Sequence, residues 1–371
     1  HFSSAFYRAV AFSCAQTASD AQGRESLAAL GSTEAGVNST ADLHARVQAF
    51  KDLMAQADKA ALRNDGAVPG VMLEQAKLDF QELMVSFNAL MGAGSAHSPQ
   101  EKEALGGRVQ KEFLPYLSLT ETADRFYSKP RGYAGDFLTI ARIYDDKPGG
   151  AGRIGPLVDA CFLGTPAAAA VRNRRHLLRS LIDEVLNQHP GETTRITSLA
   201  CGPAQELFDV YATLDDPSRL RSSLIDIDLQ ALAYVMDKAT RHKVDRFIAV
   251  FNNNLLYLAT GRQTIQLPPQ DLIYSIGLID YFGDKFVVQL LNFAHDHLKP
   301  GGSVVLGNFH PVNPNKAFMD HILDWKLIHR DEQDMHRLFG LSKFGKDADQ
   351  IHFEQEGINL FAQCYKAGQT T

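Results

Sequence analysis

Three places in this chain carry side chains able to do chemistry at the edge of a sheet. The first spans residues 195–228. An apolar run at 196–200 stops at Cys201-Gly202-Pro203-Ala204, a helix-compatible segment follows, and a second apolar run at 224–227 carries Asp226 near its end. If the two runs are neighbouring parallel strands, the small-residue turn and the carboxylate share the edge where open α/β sheets bind nucleoside-type ligands. The acid can take both ribose hydroxyls, and the turn lets a ligand approach backbone N–H groups. The second place is Asp280-Tyr281, just past the apolar run at 271–276; the pair also reads as a cap for a helix starting near Asp284. The third is His310, after the run at 303–309, where a plain turn before Pro311 is the other explanation.

A loop at residues 126–136 differs in texture, packing aromatics, cations, two glycines and an acid together: Tyr127, Arg131, Tyr133 and Asp136 are its candidate functional side chains. Asp136 also reads as the N-cap of the FLTIARIY helix behind it. Arg131, Arg172 and Arg330 are candidate partners for a substrate carboxylate, because a guanidinium pairs with one bidentately; each also reads as a surface or packing arginine. Trp325 reads as core. His295 and His297 stand two apart on a helix and face different ways, so no metal site is expected.

The elements that must hold these residues follow from periodicity. Residues 1–125 read as helical: a short helix over 4–18, a loose linker over 31–40, one helix through Leu43, Val47, Phe50 and Met54, another through Phe80, Leu83, Met84 and Phe87, and a third over 99–117 with Ser98 as cap and Glu101 three residues on. Residues 126–190 form the loop and connecting helices, the longest opened by Pro166. Residues 191–371 alternate strand and helix, with strands at 196–200, 224–227, 247–251, 271–276 and 303–309. Helices over 316–325 and 331–338 follow, then strands at 350–354 and 358–365. The join at Glu356-Gly357 permits only an antiparallel hairpin, since parallel neighbours need a crossover.

The 371 residues suffice for a sheet domain with an added cap, and 45% hydrophobic content supports a real core. A formal charge of −6 argues against bulk nucleic-acid binding. Cys14, Cys161, Cys201 and Cys364 are scattered, which fits a reducing cytoplasm and indicates neither a zinc site nor a disulfide framework. No apolar run approaches the length of a membrane span, and no signal peptide is expected over residues 1–20. The exposed helical cap offers a face for a homodimer.

The segment Leu199-Ala200-Cys201-Gly202-Pro203-Ala204 resembles the first motif of class I S-adenosylmethionine-dependent methyltransferases, with alanines at 200 and 204 where the outer glycines stand and Ser198 at the usual acid. Leu224-Ile225-Asp226-Ile227-Asp228 resembles their second motif, Asp271-Leu272-Ile273-Tyr274-Ser275 their fourth, and HDHLKPGGSVVLGNF their helix, PGG turn and fifth strand. The resemblance covers about half the chain. It implies a doubly wound, Rossmann-like α/β fold with a seven-stranded sheet whose last strand is antiparallel, plus the all-α N-terminal cap. It places S-adenosylmethionine on Ala200, Cys201 and Gly202, its ribose on Asp226, its adenine against Ile227 near Asn252 and Asn253, with Ser275 below and Tyr133 and Asp136 over the methionine end. No metal is implied. A narrower likeness, in the PRGYAGDF loop and the GLIDYFGD and DWKLIHRDEQDM segments, is to bacterial enzymes that esterify the carboxyl group of 3-hydroxy fatty acids such as 3-hydroxypalmitic acid to make quorum-sensing signals.

A carboxylate acceptor is ionised at neutral pH and needs no base; it needs donors and a dry pocket. Tyr281 could donate a hydrogen bond to it, Asp280 beside it is a further catalytic candidate, and Tyr127, Arg131, Arg172 and Arg330 are candidate substrate contacts. A phenol or alcohol acceptor would need a base, and His310 is then the candidate; a methyltransferase for a phenolic or amine metabolite is the alternative enzyme. A non-catalytic cofactor-binding regulator is a further alternative. A nicotinamide oxidoreductase is disfavoured by the missing GxGxxG and the closing hairpin.

Overall fold

The structure, a computed structural model, describes residues 39–188 and 190–368. The helix expected over residues 4–18 and most of the expected linker lie outside them.

The chain enters through three helices: α1 (Thr40–Leu62), α2 (Gly70–Met91) and α3 (Pro99–Leu117). Each is fixed by its apolar spacing and its start signal. α1 buries Leu43, Val47, Phe50 and Met54 behind an Ser39 cap, and α3 begins at a reciprocal Ser98–Glu101 capping box. Phe50, Phe80 and Phe113 join the three, with ring centroids 5.4–6.1 Å apart. Four more helices follow: α4 (Ala123–Ser128), α5 (Phe137–Asp145), α6 (Gly155–Leu163) and α7 (Pro166–Gln188). Asp159 on α6 is fully buried and accepts the backbone N–H groups of Thr122, Ala123 and Gly149. That carboxylate organises the joints between these short helices.

The sheet contains β1 (Thr194–Leu199), β2 (Leu220–Asp226), β3 (Ile248–Asn252), β4 (Gln270–Ile276), β5 (Leu298–Phe309), β6 (Gln350–Phe353) and β7 (Asn359–Tyr365). Their order is β3-β2-β1-β4-β5-β7-β6. The first five are parallel, β7 runs antiparallel to β5, and β6 antiparallel to β7. This is a doubly wound, Rossmann-like sheet, with its closing antiparallel hairpin slotted against β5. Helices α8 (Gln205–Tyr211), α9 (Leu229–Arg241), α10 (Leu255–Ala259), α11 (Asp284–His297) and α12 (Glu332–Gly340) make the crossovers and cover its faces.

Three elements differ from their sequence readings. β2 begins at Leu220, before the expected 224, because Ser222 and Ser223 hide a strand that pairs with β1 throughout. β5 begins at Leu298, since the Pro-Gly-Gly stretch still exchanges bonds with Lys366 at Gly301 and Gly302. The expected helix over 316–325 is a single wide turn, Phe318–Ile322, which ends as Asp324 turns left-handed. The short helices α4, α6 and α10 have no periodicity long enough to mark them in the sequence.

The segment after β5 belongs to the helical layer as much as to the sheet. Phe318 packs edge-on against Phe80 at 5.4 Å, Asn88 accepts the Ala317 N–H at 3.0 Å, and Asn315 accepts the Ala167 N–H at 3.0 Å. Phe309 and Trp325 are consequently part of the core formed by α1–α6. Among the described residues no helix is long and apolar enough to cross a membrane.

Candidate active site

A cavity of about 360 Å³ opens at the carboxyl ends of β1, β2 and β4, under the loop that joins α4 to α5. One half is built by the sheet's tips. Past β1 the Cys201 N–H still donates to the Ile225 carbonyl at 3.3 Å, and the turn there is left-handed at Ala200 (φ 55°), Gly202 (φ 51°) and Ala204 (φ 48°). Alanine in that region costs about 1–2 kcal/mol per residue, so the chain keeps a glycine-like backbone without the glycines. Asp226 holds it there: Oδ2 accepts the Gly202 N–H at 3.0 Å and Oδ1 the Asp228 N–H at 2.9 Å. Burial, and then the neighbouring Asp228 charge, raises the Asp226 pKa above the ordinary carboxylate value. Ile227 lies exposed on the cavity rim.

Across from this turn stands Arg174 of α7. It is 5% exposed, lines the cavity, and its Nε has no hydrogen-bond partner. Tyr144 hydrogen-bonds it, and the buried Glu206, held by the Tyr274 hydroxyl at 2.8 Å, supplies a nearby carboxyl. Burial raises the Glu206 pKa. A buried guanidinium with an orphaned N–H is a seat for an anion, because such a group is costly to leave unpaired. Tyr133 lines the same half; burial, then the Asp226 and Asp228 charges, keeps its phenol protonated.

The other half is apolar. Phe309, Trp325 and Leu327 wall it, with Asp280 and Tyr281 from the turn after β4. Trp325 Nε1 donates to the Tyr281 hydroxyl at 2.7 Å. Asp280 is buried and does not cap α11, whose N-cap is Gly283. Its Oδ1 instead accepts the Phe309 N–H at 2.7 Å, its Oδ2 has no partner, and burial raises its pKa to about 6.

The loop 129–136 lies over both halves. Arg131 clasps Asp228 through Nε at 3.1 Å and Nη2 at 2.6–2.7 Å, and bonds Gln230 as well. Lys129 pairs with Asp324 at the other end. Between them Gly135 rides on the acceptor wall: a Cβ there would lie 2.6 Å from the Tyr281 hydroxyl. Gly135→Ala is therefore expected to lift the loop or turn the Tyr281–Trp325 pair, at a cost of about 1–3 kcal/mol. Trp325 is the single tryptophan of the chain, so its emission spectrum is the measurement; an unchanged spectrum and unchanged stability would contradict the contact.

The structure thus brings Ala200, Cys201, Gly202, Asp226, Ile227, Arg131, Tyr133, Asp280 and Tyr281 around one cavity. It takes the remaining candidates elsewhere. Asp136 is fully buried as the N-cap of α5 and pairs with Arg125, so it shapes the loop and does not face the cavity. Ser275 ties β4 to the Leu199 carbonyl at 2.8 Å. Asn252 donates to the Asp226 and Ile227 carbonyls, and Asn253 reaches toward Gln263. Arg172 holds the Leu163 carbonyl and Asp146. Arg330 is a buried girder, discussed below, and Arg131 is already committed to Asp228; neither is placed to receive a carboxylate. Tyr127 is half-exposed on a separate shallow surface beside Leu114 and Pro115. His310 bonds Glu332 at 3.1 Å and is not part of the cavity wall.

Arg174, Glu206, Phe309, Trp325 and Leu327 are among the cavity residues that were not candidates from the sequence. Arg174 had a signal: it falls on the stripe Ala167, Val171, Leu178, Leu181, whose spacing buries whatever stands in it. Trp325 is core, as expected, but also wall. Among the described residues no group of three or more His, Cys, Asp or Glu could hold a metal ion.

No protein-family model and no curated protein matches this chain. Solved structures do. A protein of Bordetella parapertussis described as a possible exported protein superposes with a TM-score of 0.54 at 20% identity, over 80% of this chain and 97% of that one. The magnesium protoporphyrin IX methyltransferase ChlM of Synechocystis PCC 6803, with bound S-adenosylhomocysteine, gives 0.45 at 11% identity, over 66% and 97%. The N-methyltransferase NodS of Bradyrhizobium japonicum WM9, also with that product, gives 0.37 at 15% identity, over 53% and 87%. At 20% identity, what this chain shares with the Bordetella protein is its fold.

Proposed function

We propose that the protein transfers the methyl group of S-adenosylmethionine to the carboxylate of a small acid with an apolar body, a 3-hydroxy fatty acid being the model substrate. The observation that carries this reading is the single cavity whose one half offers a strand-tip turn, a ribose-type acid and a buried unpaired arginine, and whose other half is aromatic. The residues fit the cofactor. Asp226 keeps lone pairs for the ribose hydroxyls, Ile227 offers a face to the adenine, and the orphaned Arg174 Nε is matched to the methionine carboxylate. When bound, the sulfonium supplies an activated methyl group.

The chain's own work is alignment and dehydration. Loop 129–136, latched at both ends, excludes water, and Phe309, Trp325 and Leu327 hold the acceptor's apolar body. Alignment of this kind supplies up to about 7–11 kcal/mol. The ester formed is neutral and would leave through a bilayer, which suits a released signal.

The test is transfer of labelled methyl from S-adenosylmethionine to 3-hydroxy acids of graded length, with mass analysis of the ester. Absence of transfer to any acid, with transfer to phenols or amines, would replace the acceptor class. His310→Ala is expected to keep turnover within about threefold of the parent, since its ring makes a surface pair with Glu332 whose median worth is about 0–1 kcal/mol; near-total loss with intact cofactor binding would restore it as a base.

A further inference from the structure

We propose that Asp280 works as a neutral carboxyl, donating a hydrogen bond from Oδ2 to the acceptor carboxylate and so selecting an acid over an alcohol or amine. This rests on the methyltransferase reading above and assigns a role within the same site.

Geometry leaves one position on this carboxyl to fill. The residue is 1% exposed, its own carbonyl accepts the Ile328 N–H at 2.7 Å, and Oδ1 accepts the Phe309 N–H at 2.7 Å. Oδ2 alone is without a partner, on a side chain that lines the acceptor half. A buried carboxyl oxygen is costly to leave unpaired, and a ligand atom is the partner the cavity can supply.

The cations nearby do not offer the acceptor a counter-charge. Arg330 is spent on two backbone carbonyls, Asn308 and Asp284. Arg131 is spent on Asp228, and Arg174 faces the cofactor half. An acceptor carboxylate beside an ionised Asp280 would set two anions in contact, an arrangement in which one of the pair keeps a proton. The charged groups acting on Asp280 are Arg174 from α7 and Arg330 from the irregular segment before α12; both, with the Phe309 N–H, favour its ionised form, yet burial outweighs them. A carboxylate on Arg174 cancels the first of these, and the acceptor's charge opposes the second. Each binding event therefore moves Asp280 further toward its protonated form.

In the transfer itself, the acceptor's attacking oxygen bonds to the methyl carbon and the methyl–sulfur bond breaks, leaving its electron pair on sulfur. The acceptor's negative charge and the sulfonium's positive charge cancel. The Asp280 proton stays in place, on its bond to the non-attacking oxygen, and no base is required.

The experiment is calorimetric titration of 3-hydroxyoctanoic acid into the protein–S-adenosylhomocysteine complex, in two buffers of different ionisation enthalpy, between about pH 5 and 9. Above the carboxyl's titration the acid is expected to bind with uptake of about one proton and an affinity that falls about tenfold per pH unit. Asp280→Asn, whose amide also donates, is expected to bind the acid without proton uptake and to lose that pH dependence. Wild-type binding with no proton uptake overturns the proposal, and decides it alone if the variant fails to fold. Turnover that rises with pH in the wild type and vanishes in Asp280→Asn, with product affinity intact, makes the residue a base and overturns it equally. If S-adenosylhomocysteine binds and the acid never does, the carboxylate acceptor falls and this inference with it; if S-adenosylhomocysteine itself does not bind, the methyltransferase reading has failed first.

Discussion

Asp226→Ala is expected to weaken binding of S-adenosylhomocysteine by about 10²–10⁴-fold, because hydrogen bonds from a ligand to a charged group are worth about 1.5–3 kcal/mol each and, on the proposed reading, two ribose hydroxyls lose theirs. The carboxylate has a second task. It pins the Gly202 and Asp228 N–H groups, and so holds the left-handed turn between Ala200 and Ala204 in place. Alanine releases that turn as well, and the loss adds to the first. Asp226→Asn separates the two effects, since one amide oxygen can still accept from the turn while the ribose loses half its acceptor. Titration calorimetry with S-adenosylhomocysteine, beside thermal melting, gives both readouts. An Asp226→Ala affinity within threefold of the parent would remove this residue from the ribose. The pH dependence has a definite sign. On the proposed reading the ionised form is the one that accepts the hydroxyls, and burial raises the pKa, so affinity is expected to be full at high pH and to decline as pH falls toward that raised value.

The largest stability effect is expected at Arg330→Ala, about 3–5 kcal/mol of destabilisation, the range for breaking a buried charge network by removing one partner. The guanidinium is 2% exposed. It donates to the carbonyls of Ile279 and Phe282 at 2.9 and 2.6 Å, to Asn308 at 3.0 Å and to Asp284 at 3.1 Å. Two of those acceptors are the ends of the turn that presents Asp280 and Tyr281. Removing the side chain strands buried carbonyls and frees that turn together. Arg330→Lys is expected to recover little, because a single ammonium cannot span four acceptors in a planar fork. Urea denaturation measures the loss; a midpoint unchanged from the parent would show the network to be dispensable. A carboxylate partner in the cavity would instead have left stability untouched and altered only acceptor affinity.

The fold was legible because its signals are local and repeated. The apolar stripes of α1 and α2, the capping box of α3, the closing hairpin and the Pro-Gly-Gly turn each name an element without reference to the others. That the turn at 201–204 meets Asp226 at one cavity was legible for a related reason: the two are close in sequence and are brought together by one crossover. The acceptor half was less so. Asp280 and Tyr281 were marked by their place after a strand, but their partners Phe309, Trp325 and Gly135 come from three other stretches, and only packing joins them. Arginines were the poorest guide. Arg131, Arg172 and Arg330 had the chemistry of carboxylate partners, and each is consumed by the protein itself, while Arg174 stands in the apolar stripe of α7 with an N–H left unpaired. A guanidinium's residue type says what it can bind; burial and unspent N–H groups say whether anything is left to bind with.

The two halves of the cavity are anchored in different cores. The turn after β1 stands on the sheet's own apolar layer, whereas Phe309 and Trp325 are continuous with the aromatic interior of α1–α3. Substitutions at Phe80 or Phe113, far from any reacting atom, would then retune which acceptors are accepted and leave cofactor affinity alone. On the proposed reading, diversification has a preferred channel: drift in the helical layer would alter the acceptor repertoire without endangering the part every acceptor depends on.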